Sequence, residues 1–141
     1  MRYNKEYTTS VEHKEYPTNP LVPLDPAFIN NIGTIQNLLN TPINGVAIIT
    51  SKKGSVRSNH MHKEDFHYLY IISGSLEYFE RSIDEDGSKI TPTTYKAGDL
   101  IFTPPLKVHK TVFFEDCVMM SFSKRNRDHD SHEKDLVRVE F

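Results

Sequence analysis

The sequence has a single cysteine, Cys117, no tryptophan and no long apolar run. One cysteine excludes an internal disulfide framework. No apolar stretch reaches the roughly 18 residues that a spanning helix needs, so no membrane partner is expected. Charge of one sign is also missing: 17 Lys and Arg face 19 Asp and Glu, a formal net charge of -2. Nucleic-acid binders carry a basic surplus, so nucleic acid is not expected as a partner. The opening residues, Met1 to Glu6, lack the apolar core of a secretion signal, and a cytoplasmic location is the expectation. Low-complexity tracts and interdomain linkers are missing as well. The 141 residues therefore read as one domain, long enough to bury its own core.

What is present is a run of short, β-branched and aromatic segments. Residues 1–26 form a polar arm carrying Pro17, Pro20, Pro23 and Pro26, too rich in proline for a regular helix. Such an arm fits either a wrap on a neighbouring subunit or a loose tail. A short strand is expected between Ile32 and Leu39, and a second at Val46–Thr50, ended by a turn at Gly54. His67–Ile72 and Ser75–Glu80 read as a hairpin joined at Gly74. Leu100–Thr103, Val108–Phe114 and Cys117–Phe122 are three further strands. Regular spacing of this kind indicates an all-β sandwich or barrel over residues 27–123. A charged tail, 124–141, ends in the apolar residues Leu136, Val137, Val139 and Phe141, which are expected to dock on the barrel.

Four of the 7 histidines fall at informative spacings. His60 and His62 alternate on a strand, so both point to one face, about 7 Å apart at the backbone. His67 opens the next strand after a charged turn, Lys63-Glu64-Asp65, expected to be exposed, and a hairpin there can bring it opposite the first pair in the same sheet. His109 follows the Pro104-Pro105 break. The other three, His13, His129 and His132, lie among charged residues near the ends, where a solvated surface role is expected. Arg57 is either a surface arginine or, if the strand bends, a clamp for phosphate or carboxylate.

These residues resemble the two motifs of the cupin superfamily. Five residues separate Gly54 from His60, one separates His60 from His62, and Gly74 closes the first motif. Gly98, Pro104 and His109 match the second. The resemblance covers residues 45–122 and implies a double-stranded β-helix, or jelly-roll barrel. It also implies one divalent metal on His60, His62, His67 and His109, with His67 at the family's glutamate position. Leu106 stands where the second motif has glycine, and Phe113 where it has asparagine. An all-imidazole set suits Zn, Mn, Fe, Ni, Co or Cu rather than calcium or magnesium.

Arg57 to Lys63, the Phe102 to Pro105 stretch, Glu115 to Val118 and the tail at Asp135 to Val139 carry a narrower resemblance. They are similar to the cupin ketoisomerases and epimerases of surface-polysaccharide biosynthesis, which act on nucleotide-linked keto-sugars. This implies an isomerase or epimerase of a keto-sugar, with a sugar or sugar nucleotide as substrate and a homodimer as the assembly. On this reading His60, His62 and Tyr70 are candidate catalytic groups, and Arg57, Tyr68 and Tyr78 candidate substrate-binding groups. The all-histidine site also permits an Fe(II)-dependent dioxygenase. A non-catalytic carbohydrate-binding or sensor protein is the third class.

Overall fold

The computed structural model describes residues 16–141. His13 and the first part of the proline-rich arm lie outside the described residues. A small hairpin, β1 (Phe28–Asn30) and β2 (Gly33–Ile35), precedes the barrel. The segment expected as one strand from Ile32 to Leu39 thus forms a strand only over Gly33–Ile35, paired with the preceding Phe28–Asn30.

Two antiparallel sheets make the barrel. The first has β3 (Gly45–Ser51), β5 (His67–Ser73), β8 (Leu100–Thr103) and β10 (Cys117–Ser123), in the order β3-β10-β5-β8. The second has β4 (Val56–His62), β6 (Ser75–Arg81), β7 (Thr93–Lys96), β9 (Val108–Val112) and β11 (Leu136–Arg138), in the order β11-β4-β9-β6-β7. This is the jelly-roll barrel that the cupin resemblance implied, within the sandwich or barrel class expected from the strand rhythm. Among the described residues no helix is long and apolar enough to cross a membrane.

Period-two patterning puts each strand in its place. In β10, Cys117, Met119, Ser121 and Ser123 are buried, while Val118, Met120 and Phe122 face the other way. The inward residues at one end form an apolar core of Leu69, Ile71, Leu76, Tyr78, Tyr95, Ile101, Phe113, Cys117 and Met119. Towards the other end the inward side chains turn polar, and an open cavity replaces the core.

The outer face of the four-stranded sheet is covered too. Phe66, Tyr68, Leu100 and Phe102 pack there against Val22, Leu24, Leu39 and Ile43. The described end of the arm lies on its own barrel. Val22 N–H donates to the Leu100 carbonyl at 2.9 Å, and Phe102 N–H to the Pro20 carbonyl at 2.7 Å.

Two connections differ from the sequence expectation. The turns at Lys63–Phe66 and at Gly74 do not close hairpins; each carries the chain from one sheet to the other. Gly74 is a corner with φ of 85°, and a Cβ there would collide with the Asp116 carbonyl. A side chain must therefore both adopt a left-handed backbone and push β10 away. Gly74→Ala is expected to cost about 2–3 kcal/mol of stability. An unchanged urea midpoint would show that the corner is not built this way.

Candidate active site

The site begins with a bulge in β4. Ser58 and Asn59 both take positive φ, 77° and 58°, and the pairing of β4 with β9 shifts register between Ser58 and His60. Beyond the shift, His60 lies opposite His109. Their ring centroids are 4.8 Å apart, and His60 and His62 are 4.9 Å apart. The ligand nitrogens of His60, His62 and His109 lie within 4.8 Å of one another. His109 Nδ1 sits 3.1 Å from the Lys107 carbonyl, to which it donates. This leaves its Nε2 lone pair free.

Before His109 the chain turns through Leu106 at φ of 66°. Leucine holds the left-handed conformation that suits the motif's glycine, at a cost of about 1–2 kcal/mol. The Leu106 N–H donates to the His62 carbonyl at 2.8 Å, tying this turn to the end of β4.

His67 arrives from the opposite sheet, and its ring stacks on His62 at 4.3 Å. It shares a second cluster of ligand atoms, with His62 and His132, rather than joining His60 and His109. Both of its nitrogens are engaged, with Asp65 Oδ2 at 3.1 Å from Nε2 and Ser121 Oγ at 3.3 Å from Nδ1.

The tail supplies what the sequence reading left on the surface. Asp128 caps a short helix, α1 (His129–Asp135), and β11 then pairs with β4. His132 on α1 lines the cavity, its ring 5.5 Å from His62. Asp135 is 4% exposed, with Oδ2 at 3.2 Å from His62 Nδ1. Asp65, expected to be exposed, is 3% exposed. Arg127 also lines the cavity and contacts His132 Nδ1 at 3.4 Å. The one signal for these groups in the sequence is the three-residue spacing of His132 and Asp135 after a capping aspartate.

The candidate substrate groups separate. The bulge brings Arg57 to the cavity, where it donates to Ser51 Oγ and the Thr50 carbonyl, each at 2.7 Å. Tyr68 and Tyr70 do not reach it. They alternate with His67 and Leu69, so they face the outer apolar layer, where Tyr70 packs beside Tyr68. Tyr78 is buried beneath the cavity, its hydroxyl 2.7 Å from both Thr103 Oγ1 and Glu80 Oε2. Burial and the nearby Glu80 push its phenol well above the ordinary range.

The cavity measures about 200 Å³ and is lined by all five of these histidines, with Ile49, Leu69 and Met119 among the apolar walls. It is smaller than the roughly 300–1,000 Å³ of pockets that enclose whole drug-sized ligands, so it suits one compact ring. Thr111 Oγ1 is buried in this wall with no partner among the described residues. The donor set fits a divalent transition metal: three imidazoles converge, at least one with its other nitrogen anchored to a carbonyl, as metal-bound histidines are.

No protein-family model and no curated protein matches the sequence. Solved structures do match in fold. QdtA, a sugar 3,4-ketoisomerase from Thermoanaerobacterium thermosaccharolyticum, in complex with TDP, is 20% identical with a TM-score of 0.68, over 87% of this chain and 90% of that one. A histidine-to-asparagine mutant of that enzyme is seen with TDP-4-keto-6-deoxyglucose, at 18% identity, TM-score 0.68, and 88% and 89% coverage. A 3,4-ketoisomerase from Helicobacter canadensis is 15% identical, with a TM-score of 0.69 over 87% and 92% of the two chains. The capsular polysaccharide assembling protein CapF from Staphylococcus aureus is 20% identical, with a TM-score of 0.60 over 84% of this chain and 35% of that one. At these identities the likeness shows the fold, a cupin-type barrel.

Burial disfavours the charged form of His60, His62 and His109. It lowers His60 to about 3, helped by His109 and His132, and His109 to about 4 against the pull of the Lys107 carbonyl. His62 is pushed down further still, by burial and by His67. In the unfolded chain these rings titrate near 6.5, so the unfolded state binds more protons below that pH. Stability is therefore full above about 6.5 and falls towards 4, by up to about 1.4 kcal/mol per pH unit for each ring that stays neutral. For chelator-treated protein, the urea midpoint should be lower at about pH 5 than at about pH 7.5. His60→Asn should narrow that gap; an equal gap in both proteins would refute the assignment.

Proposed function

We propose that the chain is an isomerase or epimerase of a keto-sugar carried on a nucleotide, acting in carbohydrate biosynthesis. The observation that carries this reading is the crowding of five histidines into one small cavity, with two of them, His67 and His132, outside the converging triad. Moving a hydrogen between carbons beside a carbonyl needs a base, a donor and something to steady the enediolate, and no redox partner. The fold neighbours that are sugar 3,4-ketoisomerases support the same class.

The cavity takes the sugar ring. Thr111, in the cavity wall, has a buried hydroxyl with no partner among the described residues. Arg57 and Arg127 both line the cavity, and among the described residues neither pairs with a carboxylate. They are suited to the diphosphate, which a ring-sized cavity leaves outside. His60, His62 and His109 would hold one divalent ion, Zn, Mn, Fe, Ni, Co or Cu, which supplies a Lewis acid for a carbonyl oxygen. His67, with Asp65 behind it, takes the proton from the carbon beside the carbonyl and returns it to the neighbouring carbon. His132 serves the oxygen. The tyrosines are not needed for this, since none reaches the ring.

An exposed apolar patch supports the expected homodimer. Phe28, Ile29, Ile32 and Ile35 on the β1–β2 hairpin are 61%, 72%, 90% and 63% exposed, an apolar patch that a second copy would cover. Light scattering should give twice the chain mass, and Ile29→Lys with Ile32→Lys should return a monomer. A monomeric parent protein would refute the pairing.

Turnover is tested with TDP-4-keto-6-deoxyglucose in deuterated water, followed by NMR. The expected result is deuterium at the carbon beside the carbonyl and conversion to an isomeric keto-sugar. Removing metal with a chelator should abolish this, and full activity in rigorously metal-free protein would remove the ion from the mechanism. His67→Asn should lower kcat by about 10²–10⁴-fold with KM little changed. Oxygen uptake under Fe(II) would instead identify a dioxygenase, and tight binding with no product over hours a sensor.

A further inference from the structure

Asp65 and Asp135 are buried behind the histidines, and neither belongs to a motif. All four of their oxygens are occupied. Asp135 Oδ1 accepts the Glu64 N–H at 2.9 Å, and its Oδ2 accepts the Asp65 N–H at 3.2 Å while facing His62 Nδ1. Asp65 Oδ1 accepts the Arg125 N–H at 3.1 Å while its Oδ2 faces His67 Nε2. Arg125 Nη1, 3.6 Å from Asp135 Oδ1, offsets the charge. These carboxylates lie close enough to His62 to form a ligand cluster, but donors already saturate them. They act on the imidazoles instead.

We propose that the Asp65–Asp135 pair sets opposite tautomers on two stacked histidines, making His62 a ligand through Nε2 and His67 a proton carrier through Nδ1. Asp135, delivered by the C-terminal helix, is the positioning residue for His62. The two roles rest on the functional reading above; the two tautomers do not.

An ionised carboxylate only accepts, so the ring nitrogen facing it carries the hydrogen. Asp135 meets His62 at Nδ1, which leaves a lone pair at Nε2. Asp65 meets His67 at Nε2, which leaves the lone pair at Nδ1, where the Ser121 hydroxyl donates to it. The rings are 4.3 Å apart and nearly parallel, at 26°. Neither can take over the other's role without exchanging carboxylates. An asparagine at 135 has one accepting oxygen where the aspartate has two, and both aspartate oxygens face N–H donors. Its amide NH₂ must then oppose either the Glu64 N–H or both the Asp65 N–H and His62 Nδ1, and in the second case His62 moves its hydrogen to Nε2.

The test is long-range ¹H–¹⁵N correlation of the imidazoles in metal-free protein at about pH 8, above the ordinary titration range of imidazole. The expected pattern is Nδ1–H for His62 and Nε2–H for His67; Nε2–H on His62 overturns the proposal. In a second arm, Zn(II) alone is titrated into metal-free protein. Asp135→Asn should weaken binding by about 10–100-fold while the His67 tautomer is kept. Wild-type affinity in this variant overturns Asp135 as a positioning residue. If the variant does not fold, the wild-type spectrum still decides. Absent turnover with the expected tautomers would sink the functional reading and leave this one standing; turnover with the reverse pattern would do the opposite.

Discussion

The site depends on one pairing, that of β4 with β9 across a break in register. Up to Ser58 the two strands run in ordinary alternation, with Arg57 opposite Thr111. The extra residue taken up at Ser58 and Asn59 then re-aims the strand, so that His60 meets His109. A β-bulge of this kind increases local twist and redirects side chains, which is why bulges gather next to active sites. Here it turns both Arg57 and His60 towards the same cavity, although their separation of three residues would put them on opposite faces of a regular strand. Without the bulge either the guanidinium or the imidazoles would face the cavity, but not both.

A second constraint is electrical. Several imidazoles crowded into one small cavity cannot all be charged, since each pays for desolvation and repels the next. Burial is the leading cause of depression at His60, His62, His109 and His132, with neighbouring histidines or Arg127 adding to it. Neutral rings are what metal coordination and proton abstraction both require. The wall that deprives them of water therefore also prepares them chemically. Carboxylates in contact with His62 and His67 then give each ring an orientation.

Much of the barrel was legible because its signals are local. His60 and His62 share a face by strand alternation, and the expected runs Leu100–Thr103, Val108–Phe114 and Cys117–Phe122 fall within two residues of the observed strands. The glycine-to-leucine change at 106 looked like a departure in the turn, yet Leu106 holds the left-handed backbone and His109 keeps its place. What failed was anything set by how the sheets stack. Gly74 between two β-rich runs has the pattern of a hairpin, and local pattern does not tell a hairpin from a corner. The same ambiguity put His67 beside His60 in one sheet, when it faces His62 from across the barrel. Asp65 and His132 sit among charges, a context that ordinarily means solvent. Asp65 is buried and His132 half-buried where α1 and β11 dock; the apolar end of the tail showed that it would dock, but not against which residues.

That docking makes the tail part of the barrel's chemistry. β11 completes the five-stranded sheet by pairing Leu136 with His62 and Arg138 with His60, so the strand bearing two of the imidazoles is held between β9 and β11. An edge strand is free to fray; a strand paired on both sides is not. The Lys63 N–H donates to the Asp135 carbonyl at 2.9 Å, and the Leu106 N–H to the His62 carbonyl at 2.8 Å, so the end of β4 is fixed from both directions. The strain at Leu106 and the bulge at Ser58–Asn59 are tolerable for this reason, since a site that stores backbone strain must be over-determined by its surroundings. Local fraying of the C-terminal segment would thus release His132, uncover Asp135 and loosen β4 in one event. The stability of the tail and the geometry of the histidines are therefore coupled.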